Sequence, residues 1–150
     1  MEGAAFGATS TLVAQLGILV GMVASNQPHS ALVVASAVSA FSGSLGDAFS
    51  MFISKSTAGS ASAEITMSVL ISKLALGAVY TALFYFFGKT PRVALAVSTV
   101  LTLILLALLS RAMTASLNQS AELIFAEILG LTLLVVGATS SFGFLVRGRL

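Results

Sequence analysis

Five apolar stretches, each long enough to cross a lipid bilayer as a helix, constrain this chain more than any other feature of its sequence. They run approximately from Ala4 to Ala24, Ala31 to Ser54, Ala63 to Phe87, Val93 to Ser110 and Ala121 to Val146. Each is about 18 to 26 residues, and ~20 residues at ~1.5 Å each cover the ~30 Å hydrocarbon layer. Polar, turn-forming clusters separate them: Ser25-Asn26-Gln27-Pro28-His29-Ser30, Lys55 to Ser62, Gly88-Lys89-Thr90-Pro91-Arg92 and Arg111 to Ser120. Backbone amides find no water inside lipid, so a spanning segment is either a helix or a strand of a closed barrel. Runs such as Val100 to Leu109 lack the alternation of barrel strands. The expected fold class is therefore all-α: a polytopic, multi-pass integral membrane protein with about five transmembrane helices in a single domain.

Composition supports this reading. Hydrophobic residues make up 57% of the chain and charged residues 8%, against roughly 25% charged in soluble domains, so the apolar surface is expected to face the lipid bilayer. The net charge of +2 comes from scattered residues without a basic run, which argues against a nucleic-acid partner. Without cysteine there is no disulfide, thiolate metal site or redox motif. Glu2 stands where a secretion signal carries basic residues, so the first apolar stretch is expected to be retained. No nucleophile-and-base arrangement, phosphate loop or HExxH occurs, so the chain is not expected to be an enzyme.

Five crossings put the two termini on opposite sides. The amino-terminal side, side A, carries Lys55 and Arg111 in its connections, whereas side B carries Lys89, Arg92, Arg147 and Arg149. The excess on side B would place that side in the cytoplasm.

The second stretch has two unlike faces. Ser36, Ser39, Gly43, Asp47, Ser50, Met51 and Ser54 form a small and polar stripe. Val34, Val38, Phe41, Leu45, Phe49 and Phe52 form a bulky face expected to meet lipid or a large neighbour. Small residues allow close helix packing, as does the Gly17-x-x-x-Gly21 pattern of the first stretch. Close packing does not explain an acid.

Charges within spans cost several kcal/mol and need a partner or a purpose. Asp47, Lys73 and Glu127 lie roughly 8 to 15 Å in from side A at the helical rise. Ser10, Gln15 and Met51 are expected at similar or shallower depths. Lys73 can pair with Asp47 or with Glu127, which leaves one acid over. That acid, among hydroxyl, amide and thioether groups, suits a cation or a proton relay. Oxygen and thioether ligands together favour Mn or Fe(II) over Mg or Ca. Glu64 and Glu122 lie near the side A surface, and His29, alone in the opposite connection, is expected to be a solvated loop residue.

The segment ALVVASAVSAFSGSLGDAFSMFISKS, Ala31 to Ser56, resembles the second helix of the vacuolar iron transporter family, the yeast and plant iron and manganese carriers related to nodulin-21-like proteins. GATSTLVAQLGILVGMVAS, Gly7 to Ser25, is similar to that family's first helix, and NQSAELIFAEILG to its last. Ser10 stands where family members have an aspartate, Asp47 where they have a methionine, and Met51 where they have a glutamate. Acid and thioether have exchanged places at an unchanged spacing of four, and the first-helix carboxylate is missing. The family's glutamate-rich cytosolic region shrinks to STAGSASAE with Glu64 alone. The resemblance puts Asp47, Met51 and Ser10 at the positions of the family's acid and thioether residues, and with Glu127 of the same polar layer they make the candidate metal ligand set. It also implies a homodimer with the pathway at or near the subunit interface, and a cytosolic amino terminus, opposite to the orientation that the basic residues indicate.

Two functions follow as expectations. One is membrane transport of a divalent transition metal, Fe2+ or Mn2+, carried as substrate with no bound cofactor and with proton exchange at Asp47 or Glu127. In that case Asp47 is expected to be needed for transport and not for folding. The other is a non-transporting membrane scaffold or interaction subunit, in which the buried charges only hold helices together.

Overall fold

Local chemistry at the connections sets where the helices begin and end. A computed structural model describes residues 2–60, 62–87, 89–117 and 119–147; Gly88, Asn118 and Arg149, singled out above, lie outside them. The elements are α1 (Glu2–Ala24), α2 (His29–Thr57), α3 (Ala63–Phe87), α4 (Pro91–Leu117) and α5 (Ala121–Arg147). All five are long and apolar enough to cross a membrane. The chain is an all-helical, multi-pass integral membrane protein.

α1 closes with Asn26 in the left-handed region (φ 59). There the Gln27 amide donates to the Met22 carbonyl at 3.0 Å and that of Asn26 to Val23 at 3.1 Å, so otherwise orphaned terminal carbonyls are satisfied. α2 ends the same way: Gly59 takes φ 68, and Ser60 donates to the Lys55 carbonyl at 2.9 Å. Pro28 and Pro91 mark helix starts, where a missing N–H costs nothing. α5 begins where the Leu123 amide donates to the Ser120 hydroxyl at 3.3 Å.

The largest differences from the sequence reading are at two helix ends. The cluster Arg111 to Ser120, read as a connection, is helical through Leu117. That part contains no glycine or proline, and the Thr114 hydroxyl bonds back to the Arg111 carbonyl at 2.7 Å, so nothing stops the helix. α2 likewise runs on to Thr57, whose hydroxyl bonds the Ser54 carbonyl at 2.8 Å.

α1 is the central helix. It packs against each of the other four, and among the described residues those four pack against one another only in chain order: α2 on α3, α3 on α4, α4 on α5. The outer helices form an arc around α1 that is open between α2 and α5. Leu12 and Leu19 of α1, Tyr80 and Phe84 of α3, and Leu106 of α4 form the fully buried core. A groove of about 770 Å³, lined by Gly17 and Gly21 of α1, Ala35 of α2 and Thr139 and Phe142 of α5, lies in the opening. The bulky face of α2 points outward, with Phe41 60% and Phe49 65% exposed. Its contact line against the bundle is Leu32, Ser36, Ala40, Ser44 and Ala48, at a spacing of four.

Lipid tails are as apolar as leucine, so close backbone approach must supply what water exclusion supplies elsewhere. At Gly77 of α3 an added Cβ would overlap that of Ala40 on α2. Gly17 and Gly21 meet Val135 and Thr139 of α5, so the glycine pair of α1 serves contacts within the chain.

These contacts predict unequal tolerance of glycine replacement. Gly77→Ala should destabilise the protein by about 1–3 kcal/mol through overpacking, whereas Gly46→Ala, with open space around it, should be neutral or stabilising by up to about 1 kcal/mol. Unfolding titrations in mixed micelles measure both. For topology, single cysteines at Ala58 and Lys89 should label with an impermeant reagent from opposite faces of uniformly oriented vesicles. Equal labelling from one face would contradict the five crossings.

Candidate intramembrane ion-pair site

Asp47 of α2, Lys73 of α3 and Ser10 of α1 meet where the three helices converge. Asp47 and Lys73 each stand ten residues from the side A end of their helix, about 15 Å along the axis, inside the apolar layer. Lys73 Nζ donates to Asp47 Oδ2 at 2.6 Å and to Ser10 Oγ at 3.0 Å, and Ser10 Oγ donates to the same Oδ2 at 2.7 Å. The ammonium, the carboxylate and the hydroxyl form a closed triangle.

Gly43 borders it. Gly43, one turn before Asp47, lies beneath the lysine: a Cβ there would stand 3.5 Å from Nζ and 3.9 Å from the adjoining carbon. Lys73 therefore crosses the α2 surface at its smallest residue to reach the acid. The two partners are unequally covered, since the Lys73 side chain is 6% exposed and that of Asp47 31%. Both hydrogen bonds described at Asp47 go to Oδ2. The carboxylate thus keeps an open side, with Oδ1 unengaged among the described residues.

The remaining residues singled out from sequence fall at different places. Met51 lies one turn beyond Asp47 on α2 and is half-buried. Glu127 is exposed on α5, a helix that packs on α1 and α4 and makes no contact with α2 among the described residues. Of the two acids open to Lys73, the fold selects Asp47; Glu127 is held apart from it within one chain. Among the described residues no three histidine or acid side chains converge as a metal cage.

Gln15 does not share this layer. It is thirteen residues into α1, about 20 Å at the helical rise, and belongs to a second polar cluster nearer side B. The Ser36 hydroxyl donates to Gln15 Oε1 at 2.7 Å and lies 3.0 Å from the Thr81 hydroxyl, while Gln15 Nε2 donates to the Ser36 carbonyl at 3.2 Å. Thr81 carried no signal in sequence beyond being one hydroxyl in an apolar run. A third cluster joins Tyr80 to Thr102, whose hydroxyl donates to the Ser98 carbonyl. His29 is not a solvated loop residue: it opens α2, is half-buried, and its Nε2 donates to the Phe84 carbonyl at 3.0 Å. That carbonyl lies in the last turn of α3, where backbone acceptors run short of helical donors, and His29 engages it from α2.

No known protein family matches the chain, and neither does any curated protein or solved structure.

The triangle gives Asp47 a structural role in addition to any other. Asp47→Asn should destabilise the protein by about 3–5 kcal/mol, because it leaves the Lys73 ammonium buried without its counter-charge. Adding Lys73→Met should restore most of that loss. Thermal unfolding of the two single variants and the double variant in one detergent measures the coupling.

Proposed function

We propose that this chain is a secondary transporter of divalent transition-metal cations, Fe2+ or Mn2+, with Asp47 as the charge-bearing ligand. The observation that carries the reading is the open side of the Asp47 carboxylate in the middle of the membrane-spanning layer, 31% exposed while its lysine partner is buried. A pair that served only to lock helices gains nothing from leaving its acid accessible. Ser10 supplies a hydroxyl oxygen against the same carboxylate, and Met51, one turn away, adds a thioether within the same stripe. Oxygen with sulfur favours transition metals over Mg2+ or Ca2+. The resemblance of the first two helices to the vacuolar iron transporter family points to the same substrates.

Asp47, Ser10 and Met51 make a sparse set for a divalent ion. A second copy of the chain, as the resemblance implies, is the natural source of further ligands, and the opening of the arc between α2 and α5 leaves α1 and its neighbours uncovered where it would approach. Glu127, exposed on α5, is the acid that such an approach could use, for metal or for exchanged protons.

A second reading rests on the same triangle. Lys73 neutralises Asp47 within one chain, which suits a membrane scaffold whose ion pair only fixes the register of α1, α2 and α3.

Uptake by purified protein in liposomes, across Fe2+, Mn2+, Co2+ and Zn2+, separates the two. The transporter should carry at least one of these metals. The double variant Asp47→Asn with Lys73→Met, folded but without the carboxylate, should lose uptake by tenfold or more. Absence of flux for all four metals in the unmodified protein would leave the scaffold reading standing. Detergent-corrected mass measurement should give a dimer.

A further inference from the structure

We infer that Lys73 is a tethered counter-cation that sets the affinity of the Asp47 site, occupying the carboxylate until a metal ion displaces it. The inference rests on the transporter reading and names the residue that governs its strength.

The geometry places the ammonium where a cation ligand set would act. Nζ lies 2.6 Å from Asp47 Oδ2 and 3.0 Å from Ser10 Oγ, so the lysine already uses the two oxygen groups that α1 and α2 offer. Asp47 is the one charged group described in contact with Lys73. Together the two carry no net charge. An arriving divalent ion is attracted to the carboxylate twice as strongly as the ammonium at equal distance, yet it must take the place of a partner that cannot leave the protein.

The tether allows the exchange. The end of the lysine lies against Gly43, where an added Cβ would stand 3.5 Å from Nζ. On displacement Nζ leaves Asp47 Oδ2 while the stem keeps it in the same chain. The displaced ammonium remains within a side chain's length of the bound metal and repels it in a medium of low dielectric. The result is a site weak enough to release its cargo, as conduction through a pathway requires. A bare carboxylate at the same depth would hold a divalent ion more tightly and let it go more slowly.

If charge balance sets the affinity, two different substitutions should change it in the same direction. Lys73→Gln removes the positive charge, and Ser10→Asp adds a negative one beside the same oxygen. Mn2+ itself is the probe, its binding to purified protein read from loss of the free-ion magnetic resonance signal. Each variant should bind Mn2+ at least tenfold more tightly than the unmodified chain. Folded variants that both bind with unchanged affinity would overturn the role of Lys73 while leaving the transporter reading intact. Failure of the unmodified chain and of both variants to bind Mn2+ would overturn the transporter reading, and this role with it. Should Lys73→Gln prove unstable, Lys73→Met takes its place, since it too removes the positive charge while keeping a stem of similar length at this buried position.

Discussion

An ammonium group in the middle of a hydrocarbon layer must be met by a counter-charge, and Lys73 is met by Asp47. The surrounding structure reads as the means of bringing them together. α2 and α3 must run close enough for the side chains to touch, and Gly77 against Ala40 permits that approach. The end of the lysine lies against α2 at Gly43. A third helix supplies Ser10, which both accepts from the ammonium and donates to the carboxylate. Charge, small residues and the central position of α1 therefore belong to one arrangement.

The polar groups of the interior are sorted into separate clusters, not strung into one line. Ser10, Asp47 and Lys73 form the first, and Gln15, Ser36 and Thr81 the second, nearer side B. Between them lies the tight contact of Ala40 with Gly77. The groups of each cluster find partners within it, and apolar packing separates one cluster from the other.

Neutrality is the property on which the two functional readings divide. Within one chain the pair sums to zero, which a structural staple needs and a strong metal site does not. The uneven covering of its members is what the staple leaves unexplained. The groove between α2 and α5, with its small-residue floor along α1, shows that this side of the molecule is shaped differently from the closed sides formed by the other neighbouring helices.

The crossings were legible in the sequence because hydrophobic length is a property of each segment alone. The five stretches, the outward bulky face of α2 and the exceptional standing of Asp47, Lys73 and Glu127 all followed from spacing along single helices. The helix ends were less so: Arg111 to Leu117 is polar enough to suggest a connection, but polarity does not stop a helix that has neither glycine nor proline. Tertiary structure alone decided which acid Lys73 takes, because Asp47 and Glu127 lie at similar depths and only the order of packing around α1 brings one and not the other within reach. The same holds for Gln15 and for His29, whose partners are Ser36 on α2 and the Phe84 carbonyl on α3. A single helix fixes the depth of a side chain, but the neighbour it meets depends on how the helices are arranged around one another, and no local pattern in the sequence records that.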